Sequence, residues 1–279
     1  MDYIELKVDI FPREPWAGVL VAQLAENGFD GFVDTETGIL AYAPTGSIDI
    51  ENPLRATILE SPSSELTVHF EIKLIPHQNW NEVWESEFEP VEVEGFLTIL
   101  APFHNPIKND GMVVEIMPRM SFGTGHHQTT WMMSRALFDL DPMPLKVLDM
   151  GTGTGVLAII SEKLGAGDVL AVDIEEWSVE NARENALRNE CKNIKFLCGD
   201  LDVVDSTEYE LILANINKNV LKNHLPEYAN KMRMNGTLFL SGFFYSDCEE
   251  LISRAGEVGF EKKRILTRDN WAAIEFQKK

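Results

Sequence analysis

Cysteine, long apolar runs and basic side chains are all scarce in this chain. The 279 residues hold three cysteines, Cys191, Cys198 and Cys248. An odd count in no metal-like spacing provides neither a disulfide framework nor a zinc site, and fits reduced thiols in a cytosolic protein. Nowhere do about 18 consecutive apolar residues occur, and the start MDYIELKVDIF has no charged leader before an apolar run. No membrane segment and no secretory signal are therefore expected, and a cytoplasmic location is. Lys and Arg number 24 against 45 Asp and Glu, a formal charge of −21. That deficit argues against direct nucleic-acid binding, which needs cations to neutralise phosphates, and suits a basic protein as partner. The imbalance is concentrated: residues 1–90 hold 17 acidic and 4 basic side chains. Such a field steers association, although a merely solubilising acidic surface would look the same.

What is there is ordinary globular material. Hydrophobic residues make up 44% and charged residues 25%, which excludes a disordered chain and allows one large or two modest domains. Tyr3 to Ile10 alternates with the period of a strand, and a helix over about 15–27 is closed by Gly28. Two short strands, 29–34 and 39–43, flank Thr35-Glu36-Thr37-Gly38, a hairpin signal. A second helix over about 49–59 and a strand over 66–75 complete β-α-β-β-α-β, the ferredoxin-like order. Because that scaffold carries no chemistry of its own, residues 1–75 read as a substrate-recognition domain. Between Pro76 and Pro90, the spacing of Trp80, Trp84 and Phe88 predicts a linker helix over 76–90 with one aromatic stripe, whose plainer role is packing.

Residues 91–279 form the larger domain. Short strands are expected near 97–101 and 112–116, and from Thr129 the pattern becomes regular. Helices over 129–140, 156–164, 177–188, 219–231 and 246–258 alternate with strands over 146–149, 169–173, 194–197, 211–215 and 237–241. This alternation predicts an α/β fold with a doubly wound parallel sheet. The last two strands, 263–267 and 271–276, are joined by Arg268-Asp269-Asn270, too short for a crossover, so they must pair antiparallel. A parallel sheet ending in one antiparallel hairpin resembles the class I methyltransferases.

The strongest local signal is Val147-Leu148-Asp149-Met150-Gly151-Thr152-Gly153-Thr154-Gly155, an apolar strand running into glycines that open a helix. Gly151 and Gly153 would let a ligand approach the backbone at the carboxyl edge of the sheet. The dinucleotide fingerprint fails because residue 156 is Val. Asp149 beside the turn would repel a pyrophosphate but suits a ligand carrying an ammonium and a sulfonium, such as S-adenosyl-L-methionine. Asp173 ends the next strand, where an acid can accept both hydroxyls of a ribose, or merely stabilise a helix N-terminus. Asp200, after Cys198-Gly199, is a candidate for the adenine amine, or an ordinary loop acid. Thr130, at the helix start after Ser121-Phe122-Gly123-Thr124-Gly125-His126-His127, could hold the methionine carboxylate or amine, or simply cap. Adjacent His126 and His127 point in different directions and no further ligands complete a set, so no metal is expected.

The candidate catalytic residue is Asn215, in Leu213-Ala214-Asn215-Ile216 at the end of the fourth strand. A lysine amine cannot attack a methyl group as an ammonium, and its neutral form costs roughly 4 to 5 kcal/mol at pH 7. A neutral amide carbonyl can orient the amine's lone pair, whereas an aspartate would favour the charged, unreactive form. A plain turn role at a strand end is the alternative.

Taken together, Phe122-Gly123-Thr124-Gly125 with His127, Thr129 and Thr130, Asp149-x-Gly-x-Gly-x-Gly, Asp173, and Ala214-Asn215-Ile216 resemble the bacterial methyltransferases that modify the eleventh protein of the large ribosomal subunit. The likeness spans nearly the whole chain. His126, Gln128, Thr152 and Thr154 depart from that family's usual Thr, Pro, Cys and Ser, without removing a glycine or an acid. The resemblance implies transfer of methyl groups from S-adenosyl-L-methionine to lysine side chains and an N-terminal α-amine. It also implies that the N-terminal domain grips the ribosomal protein, and that Thr130, Gly151, Asp173 and Asn215 fall on cofactor positions. A methyltransferase of another basic protein, or a non-catalytic module retaining the cofactor fold, are the alternatives.

Overall fold

The computed structural model describes residues 2–46, 66–76, 88–105, 110–119, 123, 125–205 and 207–279. The chain divides into two compact units, Met1–Glu87 and Phe88–Lys279.

In the first unit the strands are β1 (Tyr3–Phe11), β2 (Gly31–Asp34), β3 (Gly38–Pro44) and β4 (Thr67–Ile75), with helix α1 (Trp16–Glu26) between β1 and β2. The sheet order is β2-β3-β1-β4, every pair antiparallel. This is the order the ferredoxin-like connectivity demands. Alternation along β1 sends Leu6, Val8 and Ile10 into one core with Ala17, Leu20 and Leu24 of α1. The helix expected over 49–59 lies outside the described residues, as do Trp80 and Trp84 of the expected linker helix. Residues 88–90, the end of the span expected for it, are not helical, because Pro90 disfavours the α conformation at Glu89.

The second unit begins with a small sheet of β5 (Val91–Val93), β6 (Leu97–Leu100) and β7 (Met112–Glu115). Its main sheet comprises β8 (Lys146–Met150), β9 (Asp168–Asp173), β10 (Ile194–Cys198), β11 (Tyr209–Asn215), β12 (Met232–Phe244), β13 (Phe260–Arg268) and β14 (Trp271–Lys278). The order is β10-β9-β8-β11-β12-β14-β13. β14 runs antiparallel to both neighbours, and the remaining ladders are parallel. The expected hairpin is present, with a refinement: its second arm inserts between β12 and β13 and is the single reversed strand.

Five helices pack on this sheet: α2 (Gln128–Leu137), α3 (Val156–Lys163), α4 (Glu176–Arg188), α5 (Lys218–Lys231) and α6 (Cys248–Glu257). Successive strand residues feed opposite faces, as buried parallel strands require. Ile212 and Ala214 of β11 join Leu221, Leu225 and Leu251 from α5 and α6. Leu211 and Leu213 join Met132, Met133, Leu157 and Ile160 from α2 and α3. The strand order reverses between β8 and β11, so their carboxyl ends open a crevice there, where doubly wound sheets bind ligands.

Two asparagines of α4 fasten this frame. Asn185 Oδ1 accepts the Met117 N–H at 2.9 Å while its Nδ2 donates to the Thr154 carbonyl at 2.9 Å. One turn on, Asn189 accepts from Glu115 N–H at 2.9 Å and donates back to Glu115 O. Asn185 ties the segment after β7 to the glycine turn, and Asn189 ties the end of β7 to α4. Asn185 is fully buried, so Asn185→Leu strands a donor and an acceptor and should destabilise the chain by about 2–4 kcal/mol. Urea unfolding followed by circular dichroism measures it; a loss near zero would contradict the clip.

Candidate active site

A cavity of about 600 Å³ lies at the switch point, and Gly151, Gly153, Asp173, Asp200 and Asn215 all line it. Five of the six residues expected from sequence therefore meet around one cavity. Its size suits a nucleoside-sized ligand.

The glycine turn builds the floor. Gly151, Gly153 and Gly155 all have positive φ, at 70°, 56° and 82°. At Gly151 the requirement is steric as well, since a Cβ would sit 2.1 Å from Ile216 Cγ2. Gly151 thus admits the side chain that follows Asn215, and so couples the ends of β8 and β11. The Gly151 and Thr152 N–H groups both donate to Val172 O, at 2.8 and 3.0 Å, fixing the turn to β9. Asp173 is set by the same turn: Gly153 N–H donates to Oδ2 at 2.8 Å and Glu175 N–H to Oδ1 at 3.1 Å. Two backbone donors hold its carboxylate at the cavity edge, with lone pairs left over for hydroxyl donors.

Asn215 is the most unusual group. The residue is 9% exposed and its Nδ2 donates to Thr130 Oγ1 at 3.4 Å, while Oδ1 is buried with no hydrogen-bond partner among the described residues. Thr130 itself is fully buried and does not line the cavity; it stands behind Asn215. Asp200 caps a short 3-10 turn through Leu201 N–H at 2.8 Å and faces His224 across the wall.

Asp149 departs from the sequence expectation. Its carboxyl is buried, turned away from the cavity, and accepts from Thr152 Oγ1 at 2.6 Å. It does not line the cavity and anchors the turn from behind. Burial pushes it up to about 7, against the lowering effect of hydrogen bonds from Thr152 and the Ala158 backbone, with nearby Asp173 adding to the rise.

His127 caps α2, taking the Thr129 N–H on Nδ1 at 3.3 Å, and burial lowers its pKa. Its ring meets the edge of Trp271 with centroids 4.5 Å apart. His126 turns elsewhere, its Nε2 to Glu89 O at 2.8 Å. Among the described residues no three His, Cys, Asp or Glu side chains gather to hold a metal ion, and no helix is long and apolar enough to cross a membrane.

A model of the family described as ribosomal protein L11 methyltransferase (PrmA) matches residues 26–279. The chain belongs to this family. It is 40% identical to a ribosomal protein L11 methyltransferase of Porphyromonas gingivalis over 260 residues, 92% of this chain and 89% of that protein. A second L11 methyltransferase, from Phocaeicola vulgatus, is 35% identical over 99% of both chains. Among solved structures, a ribosomal protein L11 methylase from Lactobacillus delbrueckii subsp. bulgaricus superposes with a TM-score of 0.64 at 28% identity, covering 69% of this chain and all of that one.

Several residues that line the cavity were not among those expected from sequence. Ile174 and Trp177 line it and are 69% and 46% exposed. Two large apolar side chains three residues apart in the acidic run Asp173-Ile174-Glu175-Glu176-Trp177 are a readable signal for a flat ligand face. His224, Asn217 and Trp271 also line it but stand in no local motif.

The Asp149 carboxyl makes the fold pH-sensitive. Folded, it keeps its proton up to about pH 7, whereas unfolded it releases it near 3.9. Between those values the native state holds more protons, so stability from this group falls as pH rises, by about 4 kcal/mol once pH exceeds 7. Asp149→Asn cannot ionise, so it should lose less stability than the native chain between pH 5 and pH 8. Urea midpoints at the two pH values measure this; equal losses would contradict it.

Proposed function

We infer that this protein methylates amines of ribosomal protein L11, using S-adenosyl-L-methionine as donor. Membership of the L11 methyltransferase family supports the reaction and substrate. The cavity supports the donor: acids pinned at its edge, an open glycine turn and an apolar flank match the chemistry of an adenosyl amino acid. In this reading Asp173 accepts the ribose hydroxyls, Asp200 the adenine amine, and Gly151 and Gly153 allow the close approach. Thr130 acts through Asn215, holding its amide nitrogen so that the carbonyl is presented. Bound there, S-adenosyl-L-methionine supplies an electrophilic methyl group on a sulfonium.

The observation that carries the reading is the buried Oδ1 of Asn215, which has no partner among the described residues. A buried carbonyl without a donor costs about 1–3 kcal/mol, a penalty relieved when a substrate N–H arrives. Accepting one N–H of a neutral lysine or N-terminal amine leaves that nitrogen's lone pair free and directed away from Asn215. The surrounding low polarity disfavours the ammonium, which has no lone pair to offer. The neutral imidazole of His127 adds no competing charge, and no nucleophilic side chain is needed because positioning dominates a displacement that disperses charge.

The first unit is the substrate-gripping part of this proposal. Its support is electrostatic: 16 acids against 4 bases in residues 1–87 attract a basic ribosomal protein.

Replacing Asn215 with Ala should reduce methyl transfer at pH 7.5 by about a hundredfold or more while the affinity for S-adenosylhomocysteine changes by less than about threefold. Mass spectrometry of purified L11 after incubation with labelled donor gives the first quantity and calorimetry the second. An unchanged rate would exclude the amine-acceptor role, and absence of transfer by the native chain would favour the non-catalytic alternative.

A further inference from the structure

Beside the cleft a second polar array runs from the core to the wall. Tyr228 is fully buried on α5, and its Oη stands 3.3 Å from His224 Nδ1, one turn earlier on the same helix, with the rings perpendicular. His224 Nε2 in turn stands 3.3 Å from Asp200 Oδ1. His224 and Asp200 both line the cavity, whereas Tyr228 does not.

Proton positions follow from the donor inventory. Burial and the nearby Asp200 and Asp149 carboxyls push the Tyr228 phenol upward, so it stays a neutral O–H. That O–H donates to Nδ1, which leaves the ring proton on Nε2, facing Asp200. Asp200 Oδ1 accepts the Leu201 N–H at 2.8 Å, and the imidazole Nε2 packs against the same oxygen at 3.3 Å. Its Oδ2 has no partner among the described residues. One oxygen is held and the other is presented.

We propose that His224, oriented by Tyr228, is a positioning residue that fixes the Asp200 carboxylate so that its second oxygen selects a purine bearing an exocyclic amine. The proposal rests on the reading of Asp200 as the adenine contact. A 6-oxo purine places a carbonyl oxygen where the amine would be, facing a carboxylate that cannot donate, and is rejected. Without His224 the Asp200 side chain, about half exposed, rotates among conformers and the rejection weakens.

The test compares binding of S-adenosylhomocysteine and S-inosylhomocysteine to the full-length protein by calorimetry. The native chain should favour the adenine ligand by about a hundredfold or more. In His224→Leu that ratio should fall about tenfold, mostly through weaker binding of the adenine ligand. The KM for S-adenosylmethionine should rise about tenfold while kcat changes less than about threefold. His224→Gln, which keeps a donor near the Nε2 position, should recover most of the ratio, and Tyr228→Phe should lower it by a smaller factor. A His224→Leu ratio equal to the native one, with Asp200→Asn having lost it, would overturn the role of His224 alone. Full discrimination in Asp200→Asn would overturn both this role and the adenine contact beneath it. A ratio that fell in His224→Leu without recovery in His224→Gln would assign the loss to packing and also overturn the proposal.

Discussion

A carbonyl oxygen that has been taken out of water and given no donor is unstable by about 1–3 kcal/mol unless something arrives to satisfy it. Asn215 Oδ1 is in that condition, and the surrounding architecture keeps it there. Thr130 occupies the amide nitrogen from behind. Gly151 lacks a Cβ where Ile216 must pass, and at Gly242, with φ of 97°, a Cβ would sit 2.3 Å from Ile216 O. The segment leaving β11 is thereby clasped between two glycines, so Asn215 cannot turn toward solvent to relieve its carbonyl. An unsatisfied group is retained at the place where an amine must be recognised without being charged.

The rest of the cleft serves the same geometry. Reversal of strand order at β8 and β11 opens the crevice, the glycine turn is tied to β9 through Val172 O, and Asp173 is clipped to that turn by Gly153. Because Asn185 joins Thr154 to the segment after β7, the small sheet before the main one is part of the same rigid assembly. Binding energy at the nucleoside end can then fix the reacting end, which is how remote contacts accelerate a displacement.

Much of this was legible in the residues. Alternating β and α periodicity located the strands and helices of the main sheet, and the Arg268-Asp269-Asn270 connection required the antiparallel pairing seen between β13 and β14. The glycine turn, Asp173 and Asn215 each end a strand, and strand ends in this fold converge. What escaped lay in side-chain direction and in distant partners. Insertion of β14 between β12 and β13 depends on a long-range ladder that no local pattern encodes. Asp149 sits beside the turn in sequence, but its carboxyl is buried against Thr152. Thr130 reaches the site through Asn215 across 85 residues of sequence, and His224 looks like any polar helix residue until the fold sets it against Asp200.

The most direct measurement is the pH profile of kcat/KM for L11 methylation by Asn215→Asp against the native enzyme. A carboxylate at this position holds the incoming amine as ammonium. The profile's rising limb should therefore shift upward by about one pH unit or more, and the rate at pH 7 should fall about a hundredfold, with S-adenosylhomocysteine affinity within about threefold of native. Superimposable profiles for the two proteins would contradict the claim that an uncharged carbonyl acceptor selects the reactive amine.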